Sequence, residues 1–553
     1  MIVLLLIAAL LPGCSKADAT MCRFDVDGPS AARVWNELAL DAVRRDFPAP
    51  TVHARNLYHL SALTWDVWAV WDPEAQGVFD ENSSLSGFPV PAGPADALRA
   101  DAMSFGAHRL LTHRYERAVG GDLTRVELDA ALAEFCDGAT PEEVPGGSAA
   151  ALGLRIAETI IEATLDDGSN EAANYDDFSY ASVNPVLVVD TPGAEMIDPV
   201  RWQPLSLASF VTQNGIPQPA GSQTFIGPSW GSVTPFAISP DPVDGLPIDP
   251  GPPPTPSTDP DAWFAGIVDV ISWSAQLDPA SSDDADYLRV IAEFWADGPD
   301  SETPPGHWNT IANEVGDRLG ANERLIGGVG EPVSRLEWDA KLYIALNGAN
   351  HDAAIAAWGT KRFYDYARPI SMIRYAGGLG QSSNPELASY DPLGLPLIED
   401  LVRLETDGTV TIRSWLGTPT DPVNLTSGVG WIPAVSWLPY QRPDFVSPAF
   451  ASYVSGHSAF SRASAEVLTA FTARETFPGG ALSHTVEPGG LRHELGPAAT
   501  VVLSWDTYRD AADEAGFSRR AGGIHVPADD LVGRDLGAEV GRTAWQHAQT
   551  LFD

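Results

Sequence analysis

Cysteine is nearly missing from this chain, with three residues, Cys14, Cys22 and Cys136, in 553. No CxxC pair and no Cys/His cluster occurs, which argues against a thiolate-built zinc site. Positive charge is also scarce. Thirty-three Lys and Arg stand against 74 Asp and Glu, a formal charge of −41. A nucleic-acid backbone would be repelled by such a chain, and docking on anionic lipid is equally disfavoured. Any anionic substrate must therefore be drawn in by a local cationic pocket against the global field. Long apolar runs are confined to residues 2–11 (IVLLLIAALL). That run is too short to span a bilayer as a mature helix and reads as the core of a secretory signal. Alternating strand patterns are few, Thr409–Ser414 being the one candidate for a small hairpin, and no repeat of 20–50 residues is found.

What is present is helix broken by loops. Helical spacing runs through 31–71 with a break at Phe47-Pro48-Ala49-Pro50, then through 95–117, 123–135, 149–165, 262–276, 286–295 and 334–357. Pro141-Glu142-Glu143 reads as a helix start and Ser334 as an N-cap. Residues 185–262 are dense in proline, yet Trp202, Phe210, Phe225, Trp230 and Phe236 are interspersed and need burial, so ordered irregular loops are expected there. The fold class is mainly α, in helical bundles joined by long Pro/Gly-rich loops. The expected division is a signal peptide at 1–13, a tether at 14–24, an N-terminal helical region at 25–184, the loop junction at 185–262 and a C-terminal helical domain at 263–553. Leu11-Pro12-Gly13-Cys14 resembles a bacterial lipobox, which implies export and lipidation of Cys14, with a plain cleaved signal peptide as the alternative. The lipid would be the only membrane contact, and the outer membrane, periplasm or exterior the address. Export also permits a disulfide between Cys22 and Cys136.

Three segments carry chemistry. The first, Trp358 to Pro369, holds Lys361 and Arg368 seven residues apart. Two turns of one helix would put them on the same face, roughly 10 Å apart along the axis, with Trp358 beside Lys361. Alone, such a pair reads as a solvated stripe. The second, Phe450 to Ser458, places Ser455 and Gly456 at the start of a helix, where free N–H groups attract an anion, with His457 next to them. Alone, it reads as a Ser N-cap with a surface histidine. The third, Phe517 to Asp529, holds Arg519, the pair Gly522-Gly523, His525 and Asp529. A helix beginning near His525 would set His525 and Asp529 at i and i+4, so that Asp529 fixes the imidazole tautomer. The glycine pair would let the backbone approach a ligand. Gly533, Gly537 and Gly541 follow at four-residue spacing, a stripe against which another helix can pack.

In this order, Lys361-x6-Arg368-Pro369, Ser455-Gly456-His457 and Ser518-Arg519-x5-His525-x3-Asp529 resemble the superfamily that joins vanadium-dependent haloperoxidases, type 2 phosphatidic acid phosphatases and bacterial acid phosphatases. Val454 stands where the family usually has proline. Trp358 and Phe450 match the aromatic pair lining the halide side of the chloroperoxidase branch. The resemblance implies vanadate as cofactor, held by Lys361, Arg368, Ser455, Gly456 and Arg519, with His525 bonded to vanadium. It implies His457 as acid/base, Lys361 as the group that polarises bound peroxide, and Asp529 as the orienter of His525. The substrates would be hydrogen peroxide and a halide, bromide more easily than chloride, and the product a hypohalous acid equivalent. The rival on the same residues is an acid phosphatase that hydrolyses phosphate esters through a phosphohistidine at His525. A tight aromatic pocket wall would favour the first, an open polar wall the second. A secreted anion-binding protein with a dead site is disfavoured, because every charged and acid/base motif residue is present.

Overall fold

Helix starts follow the capping groups that the sequence carries. The Ser30 hydroxyl accepts from the Arg33 N–H and opens α1 (Ala31–Arg45); Pro50 opens α2 (Pro50–Val70). α3 (Ala95–Tyr115), α4 (Gly121–Phe135) and α5 (Ala149–Thr164) complete an N-terminal bundle. The structure is a computed structural model that describes residues 21–25, 28–79, 88–212, 216–217, 221–242, 245–280, 282–296, 298 and 301–552. The signal, the lipobox with Cys14 and most of the tether lie outside the described residues. Pro141-Glu142-Glu143 forms a single 3-10 turn and not the start of a longer helix, because Pro145, Gly146 and Gly147 follow at once. Cys22 and Cys136 are joined in a disulfide that ties the start of the described chain to the end of α4.

α2 is the hub. It is buried on all sides from Pro50 to Trp68, with Trp65 and Trp68 in the core as their spacing predicts. It packs on α3 and on α9 (Arg335–Tyr364), the 30-residue helix capped by Ser334 that links the two halves. The proline-rich stretch 185–262 wraps this junction, with only the short parallel pair β1 (Leu187–Val188) and β2 (Leu205–Ser206) as strands among its described residues. Buried side chains replace a sheet ladder there. Asn184 bonds to four backbone groups around 197–201, and Asp352 of α9 accepts the N–H groups of Phe236, Ala237 and Ile238.

α6 (Pro260–Ser274), α7 (Ala285–Phe294) and α8 (Thr303–Arg318) lead into α9 and α10 (Pro369–Leu379). α8 and α10 are not evident in the sequence, since Pro304-Pro305-Gly306 and Pro369 look like breakers but occupy first turns, where proline has no hydrogen bond to lose. The hairpin expected at Thr409–Ser414 is the centre of an antiparallel sheet, β3 (Val402–Leu404), β4 (Val410–Trp415) and β5 (Val429–Pro433). α11 (Gly456–Thr472) follows, then the hairpin β6 (Leu482–Val486) and β7 (Val501–Trp505), α12 (Tyr508–Ala521) and α13 (Pro527–Phe552). α13 lies flush on α11: a Cβ on Gly537 would stand 2.3 Å from the Ala459 carbonyl oxygen, and one on Gly541 2.5 Å from that of Ala463. No helix among the described residues is long and apolar enough to cross a membrane.

Candidate active site

Lys361 and Arg368 do not share a helix. α9 ends at Tyr364, Asp365 turns the chain in the left-handed region at φ 49°, and Arg368 is the N-cap of α10. Tyr180 and Arg201 clamp the Asp365 carboxylate in that turn. The expected seven-residue helical stripe is thus a corner, with Pro369 forcing Arg368 out of helical conformation. Both cations nevertheless point to one place. Lys361 Nζ donates to the carbonyls of Ala451 (3.0 Å) and Ser452 (2.9 Å), and Arg368 Nε donates to that of Phe450 (3.0 Å). Arg368 Nη1 donates to the Ile524 carbonyl (2.9 Å) and to His525 Nε2 (3.1 Å).

Guanidinium only donates, so His525 Nε2 is an acceptor and Nδ1 carries the hydrogen. Nδ1 donates to Asp529 Oδ2 at 2.9 Å, and the Ser452 hydroxyl lies 3.2 Å from Nδ1 and 2.5 Å from Oδ2. Asp529 therefore fixes the tautomer, as its spacing suggests, but His525 stands ahead of the helix. α13 begins at Pro527, and Asp529 also accepts the Val526 N–H. The glycine pair is used differently from the expectation. Only Gly523 is left-handed, at φ +77°; its Cβ would stand 3.0 Å from Pro439, and one on Gly522 3.1 Å from Gln441. The pair packs on the 437–441 strand of loop and turns the chain so that His525 enters the site. Ser452 is the residue that sequence reasoning missed: a loop serine has no spacing signature.

Ser455 caps α11, its Oγ accepting from Ser458, and its own N–H donates to the Asp529 carbonyl at 2.8 Å. Gly456 opens the helix against the Trp358 ring, which a Cβ would meet at 3.3 Å. His457 Nε2 lies 2.7 Å from the Trp295 carbonyl, so the neutral ring carries its hydrogen there. Arg519 donates from Nη2 to the Ala292 carbonyl at 2.6 Å, and its own carbonyl accepts the Ile524 N–H. Trp358 and Phe450 sit with ring centroids 4.9 Å apart, and Lys361 Nζ lies 5.6 Å and 5.1 Å from them. The expected anion-binding, acid/base and aromatic residues thus fall in one region of the fold.

The cluster is poorly compensated. Lys361, Arg368 and Arg519 are buried at 0–1% exposure. Burial, with Arg368 beside it, holds the Lys361 ammonium well below its ordinary range, and burial takes Arg368 down to about 9. His525 is depressed by burial and by Arg368 and Lys361, and His457 by burial and Arg519. Burial pushes the Asp529 carboxyl up, to about 6. Arg368 Nη2 is buried without a hydrogen-bond partner. A tetrahedral oxyanion would meet these needs together: it supplies counter-charge, accepts from Arg368, and suits the helix N-terminus at Ser455. The residues present therefore fit vanadate, or its isostere phosphate. A cavity of about 700 Å³ opens onto Gly456, His457, His525, Trp358 and Phe450.

Residues 341–553 match the family model of the VCPO second helical-bundle domain. The fold is that of solved bacterial vanadium haloperoxidases. The apo-type bacterial vanadium-dependent chloroperoxidase aligns at TM-score 0.66 and 19% identity over 91% of this chain and 94% of that one. The holo-type structure aligns at TM-score 0.66 and 19% identity over 96% and 100%. A bacterial vanadium-dependent iodoperoxidase aligns at TM-score 0.56 and 19% identity over 94% and 97%. No curated protein matches the sequence.

Proposed function

We infer, from a C-terminal segment (residues 341–553) that matches the VCPO second helical-bundle domain and carries a buried cationic cage, that the protein is a vanadate-dependent haloperoxidase. It would use hydrogen peroxide to oxidise a halide, bromide more easily than chloride, to a hypohalous acid equivalent. The observation that carries the reading over phosphate-ester hydrolysis is the wall: the Trp358 and Phe450 rings pack tilted against each other beside Lys361, where the cavity reaches His525. Beside the cage this aromatic pair suits a polarisable halide and offers a phosphate ester no hydrogen bonds at that point.

Lys361, Arg368, Arg519, Ser455 and the Gly456 N–H would hold vanadate, and His525 Nε2 would ligate vanadium, its Nδ1–H anchored on Asp529. Bound vanadate supplies Lewis acidity toward hydrogen peroxide without changing its oxidation state. For His525 Nε2 to ligate vanadium, Arg368 Nη1 would give up its hydrogen bond to that nitrogen and donate to the oxyanion instead. His457 is neutral in its buried setting and takes the peroxide proton at its unprotonated nitrogen. Lys361, pinned by two carbonyls, donates to the oxygen on which negative charge develops as halide attacks.

One preparation, with and without vanadate, tests this by peroxide-dependent bromination and by hydrolysis of a phosphate monoester. Vanadate-dependent bromination is expected, with His525→Ala lowering vanadate affinity and turnover by at least about a hundredfold. Ester hydrolysis blocked by vanadate, with no bromination, would replace the reading with the phosphatase.

A further inference from the structure

The C-terminal end of α7 holds two of the site's side chains by its backbone. The Ala292 carbonyl accepts from Arg519 Nη2 at 2.6 Å, and the Trp295 carbonyl from His457 Nε2 at 2.7 Å. The last carbonyls of a helix lack helical partners and carry partial negative charge, so they suit cations and strong donors. The Trp295 bond also decides which nitrogen of His457 can act. With the hydrogen held on Nε2, the basic nitrogen of the neutral ring is Nδ1. A carbonyl keeps that choice only while its own backbone is fixed, and Trp295 is the residue at which α7 stops.

What fixes Trp295 is a carboxylate on another helix. Glu514 of α12 accepts the Trp295 indole N–H at 3.1 Å and that of Trp505 at 3.0 Å, both on Oε1, and the Tyr287 hydroxyl at 2.7 Å on Oε2. Tyr287 lies in the first turn of α7 and Trp295 at its cap, so one carboxylate grips both ends of that helix. The Trp295 ring also stacks on His307, with centroids 4.7 Å apart and planes at 26°, and packs on Trp505 at 5.6 Å. α12 carries Arg519 as well. The links therefore close on themselves: α12 grips α7 through Glu514, and α7 holds Arg519 of α12 and His457 of α11.

We propose that Glu514 is a positioning residue for His457, acting through the Trp295 indole to fix the Trp295 carbonyl and, with it, the nitrogen that serves as base. The inference rests on the haloperoxidase reading for the acid/base role of His457. A proton acceptor shifted or turned to its other tautomer loses rate even when the substrate still binds. Loss of Glu514 should therefore be felt in turnover and not in halide binding.

The test uses the vanadate-loaded chain with isotope-labelled histidine. The His457 signal is the one that His457→Ala removes, and the shifts of its ring nitrogens report the tautomer at neutral pH. Bromination at saturating vanadate gives kcat and the bromide KM. The parent should show the Nε2–H ring. Glu514→Leu should give a mixture of tautomers and lower kcat about tenfold, with the bromide KM unchanged. Trp295→Phe keeps the carbonyl and loses the indole N–H, so it should do the same, and the double variant should be no worse than either. Glu514→Gln, whose amide oxygen still accepts both indoles, should restore tautomer and kcat. Tyr287→Phe takes a donor from the same carboxylate without touching Trp295 and should match the parent in both. A parent-like tautomer or kcat in Glu514→Leu, or an equal change in Tyr287→Phe, would overturn the inference. Should Glu514→Leu not fold, Trp295→Phe decides by the same criteria. No vanadate-dependent bromination by the parent would overturn the haloperoxidase reading, while the tautomer signals would still decide whether Glu514 positions His457.

Discussion

Ser452 has one hydroxyl hydrogen and two neighbours for it, and the distances assign it. The 2.5 Å separation to Asp529 Oδ2 makes Ser452 the donor there, and its oxygen faces His525 Nδ1 at 3.2 Å. Asp529 Oδ2 thus receives hydrogen bonds from Ser452, His525 and the Val526 N–H, which together with the Lys361 and Arg368 charges oppose the cost of burying the carboxylate. Ser452→Ala should leave the fold intact and loosen His525. Vanadate affinity is expected to fall about tenfold, read by titrating bromination against vanadate, because second partners of a metal-binding histidine typically matter by 10–100-fold. Unchanged affinity would mean that Asp529 positions the ring unaided. At this scale the sequence is informative where a charged residue, a histidine or a helix-start serine such as Ser455 is needed, and silent for loop hydroxyls and carbonyls. Ser452 and the Trp295 carbonyl carry no pattern, since their roles depend on a loop path that only the packed chain defines.

Spacing is read differently once elements are placed. Lys361 and Arg368 look like two turns of a helix but straddle a left-handed corner at Asp365, because Pro369 cannot continue α9. His525 and Asp529 look like one helix face but span its first turn. In both cases the residues meet as expected while the local geometry differs, since periodicity cannot distinguish a helix from the turn that ends it. The glycine stripe on α13 was legible, because its only physical use is close helix contact. It has a functional edge: Gly533 lies against Ser455, with a Cβ 3.0 Å from the Ser455 carbonyl oxygen. Gly537→Ala would place a methyl 2.3 Å from the Ala459 carbonyl oxygen and push α11 off α13. A loss of about 1–3 kcal/mol is expected, with weaker vanadate binding, since Ser455 and Gly456 ride on α11. Denaturant unfolding and the vanadate titration read the two effects separately, and a neutral Gly537→Ala would show that the helices can part without harm.

Across the whole molecule, neutral histidines are buried in both halves. Burial depresses His59, His307, His493 and His351, the last to about 4. His351 stacks on Tyr58 and donates to the Thr234 carbonyl at 2.9 Å. An unfolded chain takes up these protons near pH 6.5 while the folded chain does not, so the stability His351 contributes is present above about 6.5 and is lost as pH falls toward about 4. Asp352 beside it has the opposite sign: burial lifts its carboxyl to about 7, so its protonation favours the fold as pH falls from there. His351→Gln keeps a donor for Thr234 and removes the titration. Its thermal midpoint should fall less steeply than the parent's between pH 6.5 and 4, by up to about 3 kcal/mol in stability; parallel curves would rule out His351 as an acid-sensitive element. The mainly helical class follows from periodicity alone, whereas the path of residues 185–262 does not, because its order comes from single buried anchors such as Asn184 and Asp352 on distant elements.

On the haloperoxidase reading, whose product would be a hypohalous acid equivalent, the Cys22–Cys136 bond has a chemical consequence. Thiols and thioethers are the side chains such an oxidant attacks first. With those two sulfurs joined, no reduced cysteine stands among the described residues. Methionine numbers only five in the chain, and Met103 and Met372 are sealed in the core at 0% and 1% exposure. The described chain would thus offer such a product little sulfur to consume, and self-inactivation during turnover would be correspondingly slowed.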